Sequence, residues 1–227
     1  MQCFKLPVTT TTQLDCINRE FFWKRNNVNK GLPLVAWEKV CMPKDMGGLG
    51  LRRAHDVNLA FQSKLAWKIL RDNSSMWASI LRAKYLRTHH LFDCHLKQGT
   101  STVWRNILKC RDTLKQGMRW SVGNGHDISF WYDNWVENKN LIELLNLQDV
   151  AGLDPGLKLS DFIQDKKWNF HKLQQLIPNQ IILEKIIGIP IANAETPDEL
   201  YWGLTSSGIF SIKSATSLIQ GTSANIR

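Results

Sequence analysis

The stretch from Asp56 to Arg71 has the clearest helical pattern in this chain and constrains the fold more than any other segment. Its apolar residues recur at the spacing that places them on one broad face of a helix, and Asp56 is a predicted N-cap. The residues of this face are Leu59, Phe61, Leu65, Ala66, Ile69 and Leu70. The pattern predicts that this face belongs to a hydrophobic core.

Shorter helical patterns lie on both sides of this segment, and turn-forming residues separate them. We predict further helices over 12–23, 75–85, 101–116, 169–176 and 179–187, and a last helix that begins at Ser214. Two segments, 120–131 and 200–212, are predicted to be β-hairpins, the first because Asn124-Gly125 favours a tight turn. The predicted fold class is therefore mainly α with two small β-hairpins (α+β), a helical bundle followed by a connecting region.

Basic residues are concentrated in the N-terminal half of the chain. Residues 1–120 hold 21 Lys and Arg against 8 Asp and Glu, whereas residues 121–227 hold 8 against 12. The whole chain has a net charge of +9 and a pI of about 9.4. A local excess of this kind favours an acidic partner such as nucleic acid, with an ordinary solvated basic surface as the alternative.

One candidate interface lies on the predicted helix of residues 56–71. Lys64, Lys68 and Arg71 occur at i, i+4 and i+7, which places them within about 60° of one another, opposite the apolar face. Trp67 lies beside them, and basic side chains next to an aromatic ring suit phosphate contact and base stacking. We therefore predict that Lys64, Trp67, Lys68 and Arg71 bind nucleic acid. The alternative is a solvated face, with Trp67 packed against a neighbouring helix.

No motif in the sequence supplies a complete catalytic site. The Gly-Gly-Leu-Gly segment at 47–50 lacks the other residues of a dinucleotide-binding or P-loop pattern and is predicted to be a turn. Asp127 and Asp133 flank the second strand of the first predicted hairpin, but two-metal chemistry needs several carboxylates that converge on two ions, and Asp133 is interpreted as a turn-capping acid. The chain is therefore predicted to be neither an enzyme nor a cofactor-binding protein.

Metal binding, export and membrane insertion are not predicted either. His89, His90, Cys94 and His95 are close in sequence but have no recognisable zinc spacing. The five cysteines are odd in number and contain no C-x-x-C pair, which favours a reduced chain inside the cell. No signal peptide is evident, and no apolar run approaches the roughly 20 residues of a membrane span.

Several segments together resemble a known family. Phe21-Phe-Trp-Lys-Arg25, Trp37 to Leu51 and Asn58 to Trp67 resemble the part that follows the polymerase palm in LINE-type (non-LTR retrotransposon) reverse transcriptases, especially those of plants. Trp120 to Gly125, Phe130 to Trp135 and Trp202 to Ala215 resemble the run that leads into the reverse transcriptase zinc-binding domain of that family. The resemblance covers nearly the whole chain in the expected order.

This resemblance implies three regions. They are a thumb-like helical region at 1–120 that helps to hold template and primer, a connecting region at 121–197, and the start of the zinc-binding domain at 198–227. It also implies that the palm, with its paired metal-binding aspartates, lies upstream of Met1 and that the zinc ligands lie beyond Arg227. Residues 132–134, Tyr-Asp-Asn, do not match the Tyr-x-Asp-Asp motif of the palm.

We therefore expect a non-catalytic fragment of a retrotransposon reverse transcriptase with a surface that binds RNA or DNA without sequence specificity. Two alternatives stay open at this point. One is a degenerate gene product without activity. The other is a helical protein-interaction module, in which the many tryptophans would form an exposed patch.

Overall fold

Two compact units make up the chain. The computed structural model describes residues 4–24, 32–72, 74–87, 91–92, 94–137, 139–147, 152–191 and 196–225. Unit 1 comprises Met1–Leu114 and Phe210–Arg227, and unit 2 comprises Lys115–Ile209. The C-terminal residues thus lie in the same unit as the N-terminal half, whereas the sequence alone grouped 198–227 as a separate region.

Helices dominate the described residues, and the strands are few and short. In chain order the elements are α1 (Val8–Phe22), α2 (Trp37–Cys41), a 3-10 turn (Lys44–Met46), α3 (Ala54–Arg71), α4 (Met76–Tyr85), α5 (Thr102–Lys109), α6 (Arg111–Gly117), β1 (Met118–Ser121), α7 (Leu141–Leu144), a 3-10 turn (Leu159–Phe162), β2 (Ile163–Gln164), β3 (Lys167–Trp168), α8 (Phe170–Leu176), α9 (Gln180–Ile187), β4 (Glu199–Trp202) and α10 (Ile212–Asn225). The predicted fold class, mainly α with small antiparallel β pairs, is confirmed.

The predicted helices are found close to their expected positions, with one exception. Residues 101–116 were predicted as one helix but form two, α5 and α6, with a break at Cys110. The backbone of Cys110 leaves the helical region there, because its N–H binds Ile107 O rather than continuing the regular ladder. The side chain of Ser101 caps α5 by accepting a hydrogen bond from the N–H of Trp104, as a serine at this position predicts.

Helix α3 forms the centre of unit 1, because α1, α4, α5 and α10 all pack on it. Two of its small residues, Ala60 and Ala66, are fully buried. Burial therefore extends well around the helix and includes the polar side chains of Asn58, Gln62 and Ser63. Most of the large residues of the predicted apolar face, such as Leu65, are only half-buried. The prediction of a core helix is confirmed, but its buried face is wider and more polar than the sequence pattern indicated.

The start of α3 also differs from the prediction. The helix begins at Ala54, so Asp56 lies in its first turn and is not the N-cap. The carboxylate of Asp56 is fully buried and receives two hydrogen bonds from the guanidinium of Arg53, at 2.9 and 3.2 Å. The capping role passes to Asp15 on α1, whose carboxylate accepts a hydrogen bond from the N–H of Ala54 at 2.8 Å.

Asn58 ties the N-terminal residues to α3. Its side-chain oxygen accepts a hydrogen bond from the N–H of Leu6 at 2.8 Å, and its side-chain N–H donates to the carbonyl of Phe4 at 2.9 Å. The amide thus satisfies both backbone groups in the way that a neighbouring β-strand would. This explains why a polar residue lies fully buried within α3.

Unit 2 has its own hydrophobic core, in which aromatic rings from distant parts of the chain meet. Phe130 stacks on Phe162 with ring centres 4.1 Å apart, and Trp135 stacks on Trp168 at 5.7 Å. Several aliphatic side chains are fully buried around these rings, among them Leu141, Leu159, Leu173 and Ile186. The core therefore includes residues from 136–160, which the sequence pattern left without assigned structure.

The strands lie in other places than the sequence predicted. Strand β1 pairs antiparallel with β4, so that Met118 lies opposite Trp202 and Ser121 lies opposite Glu199. The predicted hairpins at 120–131 and 200–212 are therefore wrong. Each segment overlaps only one strand of a single antiparallel pair, β1 and β4, and these two strands lie far apart in the chain. The turn-forming residues in these segments do lie in turns, but the turns belong to loops and not to hairpins.

A short hairpin is formed by β2 and β3, where none was predicted. Asp165 and Lys166 connect the two strands, and both have positive φ angles, of 49° and 62°. Two-residue turns with positive φ at both positions match the twist of antiparallel strands. Neither residue is Asn or Gly, so the usual sequence signal of this turn is missing.

The tryptophans are part of the interior. All ten are buried or half-buried, and none forms an exposed patch. The interaction-module alternative, which depended on exposed tryptophans, loses its supporting observation. Elsewhere, α1 exposes Ile17 and Phe21 on one side. None of the helices within the described ranges combines the length and the apolar character that crossing a membrane requires.

Candidate nucleic-acid interface

The three basic residues predicted to contact phosphate share one side of α3. Lys64 and Arg71 are exposed and Lys68 is half-buried. The helix is continuous over this stretch, so the three charges follow one another over about 10 Å of its axis. Phe61, predicted for the apolar face, lies beside them at helical spacing and is half-buried. We call Lys64, Lys68 and Arg71 the α3 stripe.

The structure corrects the role predicted for Trp67. Its side chain is only 8% exposed, and its ring stacks on that of Phe210 with centres 6.0 Å apart and planes 28° apart. A ring packed in this way is not available to stack on a nucleic-acid base. The alternative interpretation placed Trp67 against a neighbouring helix; the ring is packed, but its partner Phe210 lies just before α10 and not on a helix. Sequence spacing missed this because Phe210 lies far away along the chain.

Arg82 on α4 holds the C-terminal end of α3 in place. Its guanidinium donates hydrogen bonds to the carbonyl oxygens of Ile69, at 2.7 Å, and Asp72, at 2.9 Å. The last carbonyls of a helix have no partner within the helix, and a cation there also interacts favourably with the helix dipole. The end of α3 that carries Arg71 is thereby fixed relative to α4.

The glycine-rich segment at 47–50 is a turn, as predicted, and not a phosphate-binding loop. The backbone N–H groups of residues 47–50 all donate to carbonyls of residues 40–44, with Leu49 bound to Val40 and Gly50 bound to Met42, both at 2.9 Å. A phosphate-cradling loop needs such N–H groups to be free to point at the ligand. Gly48 is required by close approach, because a Cβ there would lie 2.0 Å from the carbonyl oxygen of Met42.

Asp133 stabilises a turn, which agrees with its interpretation as a turn-capping acid. Its carboxylate accepts a hydrogen bond from the N–H of Ser129 at 2.8 Å. Burial raises the pKa of Asp133 above its usual value, and the Ser129 hydrogen bond partly opposes this shift. The next residue, Asn134, donates to the carbonyl of Lys115 at 2.6 Å. Both polar residues of this motif therefore bind backbone groups of the protein itself.

Asp198 has a structural role that the sequence analysis did not find. One of its carboxylate oxygens accepts hydrogen bonds from the N–H groups of Gly123, at 2.7 Å, and Gly125, at 2.9 Å, and the other accepts from Asp127, at 2.9 Å. The loop of residues 123–127 thus wraps around one carboxylate, in the manner of a backbone anion site. Its anion is a side chain of the same protein, so the Gly-Asn-Gly motif is explained by folding.

No metal centre is apparent in the part of the chain that the structure describes. Within it, no three His, Cys, Asp or Glu side chains come together as metal ligands would. His89 and His90 lie outside the described residues. Cys94 is buried, with its Sγ 3.8 Å from the carbonyl oxygen of Tyr85.

Two proteins of Arabidopsis thaliana are similar in sequence to this chain. One, named "Putative ribonuclease H protein", is 33% identical over 223 residues, which make up 96% of this chain and 36% of that relative. The other, named "Uncharacterized mitochondrial protein", is 29% identical over 147 residues, or 64% of this chain and 96% of that relative. No protein-family profile and no solved structure matches the chain. The chain thus spans about a third of the length of the first relative, and nearly all of the second aligns with it.

Proposed function

We propose that this chain is a non-catalytic segment of a retrotransposon-derived, LINE-type reverse transcriptase polyprotein and that unit 1 binds RNA or DNA without sequence specificity. The observation that carries the proposal is the α3 stripe, three basic residues on the outer side of a helix whose other sides are packed. Cations displayed on a rigid helix suit contact with phosphates, which fixes position without reading bases.

The distribution of charge between the units supports this assignment. Unit 1 holds 21 Lys and Arg against 8 Asp and Glu, whereas unit 2 holds 8 against 12. The residues that return to unit 1 at the C-terminus, 210–227, add two basic residues and no acid. A compact unit with this excess of positive charge attracts polyanions and increases their rate of association.

The proposal that the chain has no catalytic activity rests on the structural roles of its acidic residues. The first relative is named for ribonuclease H, and hydrolysis of that kind uses carboxylates that converge on metal ions. In this chain, Asp133 and Asp198 are each occupied with backbone N–H groups of a turn. The other two thirds of the first relative have no counterpart in this chain, and we assign the catalysis for which it is named to that part.

The binding part of the proposal is tested by neutralising the α3 stripe. Lys64→Gln/Lys68→Gln/Arg71→Gln should weaken duplex binding regardless of base sequence and reduce the slope of log affinity against log salt by about 2 to 3. The control is Lys139→Gln/Lys167→Gln/Lys172→Gln, which removes the same charge from exposed positions of unit 2. Filter binding over a range of salt concentrations measures both. An unchanged slope in a folded α3 stripe variant would contradict the role proposed for these residues.

The catalytic part is tested with two substrates. Purified protein with Mg²⁺ or Mn²⁺ should neither cleave a labelled RNA–DNA hybrid nor extend a primer on an RNA template. The decisive comparison is Asp133→Asn, which preserves the size of the side chain and removes its charge. Metal-dependent cleavage or extension by the wild type that disappears in this variant would overturn the proposal.

A further inference from the structure

A second concentration of positive charge lies where α4 ends and α5 begins. Between residues 82 and 114 the sequence holds seven Lys and Arg against two acids, Asp93 and Asp112. Five of the basic residues are exposed: Lys84, Arg87, Lys97, Arg105 and Lys109. We call these five residues the α4–α5 surface. It is richer in charge than the α3 stripe, and no binding residue was predicted within it from the sequence.

Tyr85 makes this surface rigid by joining the two helices. Its ring stacks on that of Trp104, with centres 4.6 Å apart and planes 11° apart. Its hydroxyl donates to the Oγ of Ser101 and accepts from the N–H of Ser101, both at 3.3 Å. The ammonium of Lys84 lies 5.2 Å from the centre of the same ring. The last turn of α4 and the first turn of α5 are therefore fixed together.

Helix α5 separates its apolar and basic residues cleanly. Trp104, Ile107 and Leu108 are buried, whereas Arg105 and Lys109 are exposed. Because Arg105 and Lys109 are four residues apart, they lie on the same side of the helix. The buried residues anchor the helix in unit 1, so the two cations are presented from a well-packed support.

Two partly buried arginines add to the potential of this region. Arg82 binds the carbonyls at the end of α3, and Arg111 donates to the carbonyl oxygens of Phe92 and Cys94, both at 2.9 Å. Carbonyl groups hold a guanidinium in place but carry no net charge, so these hydrogen bonds do not cancel its positive charge. The charges of Arg82 and Arg111 therefore add to the positive electrostatic potential at any surface cation within a Debye length, which is about 8 Å at physiological salt.

We propose that the α4–α5 surface is a second phosphate-contacting surface of unit 1, which binds the backbone of the same RNA or DNA as the α3 stripe. This inference rests on the proposed function. The five cations of the α4–α5 surface are distributed over two helices and a loop. A polyanion with regularly spaced charges, such as RNA or DNA, can therefore contact several of them at once. The contacts are to phosphate and carry no sequence preference.

The experiment compares three variants that each lose three positive charges: the α3 stripe variant, Arg87→Gln/Arg105→Gln/Lys109→Gln, and the unit 2 control described above. Their affinity for one DNA duplex is measured over a range of salt concentrations. The α4–α5 variant should reduce the salt slope by about 2 to 3 and weaken binding on the order of a hundredfold at 0.1 M salt. The control should change neither. Circular dichroism establishes that each variant is folded, and Arg105→Gln/Lys109→Gln replaces the triple variant if the triple does not fold.

The outcomes separate this inference from the proposed function. If the wild type does not bind duplex, both are overturned. If the α3 stripe variant loses slope and the α4–α5 variant does not, the inference alone fails. If both variants lose slope and their combination loses about twice as much, both surfaces contact the polyanion, as proposed. Equal binding of the wild type to anionic lipid vesicles, with no loss in the α4–α5 variant on duplex, would also overturn the inference.

Discussion

Asp198 shows how much of this fold can depend on one side chain. Its carboxylate accepts three backbone N–H groups from residues 123–127. Asp198→Asn keeps the size but replaces one acceptor oxygen by an NH₂ group, which cannot accept a hydrogen bond. We expect the free energy of unfolding to fall by about 2 to 3 kcal/mol. Charge-assisted hydrogen bonds to the carboxylate are lost, and the new NH₂ group faces backbone N–H groups, which are also donors.

Urea denaturation measures this change, and Asp127→Asn is the matched control. Asp127 lies in the same loop, but its side chain is exposed. Substitutions of exposed residues usually change stability by no more than about 0.5 kcal/mol. Equal stability of the two variants would show that the Asp198 carboxylate does not hold the loop.

Two buried thiols predict a loss of stability at high pH. Burial raises the pKa of Cys41 and of Cys110 from 9.0 to about 11. Between pH 9 and 11 the unfolded chain therefore binds fewer protons than the folded chain, and the free energy of unfolding falls as the pH rises. This contribution is fully present below pH 9. Cys41→Ala/Cys110→Ala should have a shallower fall over the same range, measured by urea denaturation at several pH values. Identical pH dependence of variant and wild type would contradict the prediction.

The positions of candidate site residues could be predicted from sequence only where local geometry decides them. Lys64, Lys68 and Arg71 lie on one side of α3 because helical spacing alone places them there. Trp67 could not be predicted in the same way. Its environment depends on Phe210, and no local pattern reveals a partner so distant in the chain.

At the scale of elements, α3 depends on a cap supplied by another helix. The guanidinium of Arg82 binds the carbonyls of Ile69 and Asp72. Arg82→Met keeps an apolar stem of similar length but removes both hydrogen bonds, so we expect a loss of about 2 kcal/mol in the free energy of unfolding. Lys64→Met, at an exposed position of α3, is the control. Thermal and urea denaturation test this, and a loss no larger than that of the control would show that water replaces the guanidinium at these carbonyls.

The predicted helices were found and the predicted hairpins were not, for a physical reason. Helices are stabilised by contacts within one segment, so their pattern is visible in a short window. Strand β1 instead pairs with β4, and Asp198 next to β4 binds the loop that follows β1. The Asn-Gly signal at 124–125 correctly indicated a turn, but the pairing of strands depends on residues more than 70 positions away.

For the whole molecule, charge is the property that sequence predicted best. The excess of basic residues counted for 1–120 is the same as that of unit 1, because the two basic residues of 210–227 replace Lys115 and Arg119. Composition therefore identified the basic part of the chain, although the boundary of the unit was not predicted. The return of the C-terminal residues to unit 1 depends on the packing of α10 against α3, two helices that lie far apart in the chain.

The charge division predicts where bound nucleic acid will protect the protein. Lysine acylation followed by mass spectrometry should show slower labelling of Lys64, Lys84 and Lys109 in the presence of duplex, and unchanged labelling of Lys139 and Lys167 in unit 2. Labelling follows the unbound fraction, so duplex at ten times the Kd should slow it by about tenfold. Protection should disappear at 0.5 M salt, because the proposed contacts are ionic. Uniform protection of all five lysines, or protection confined to unit 2, would show that binding does not follow the basic surface of unit 1.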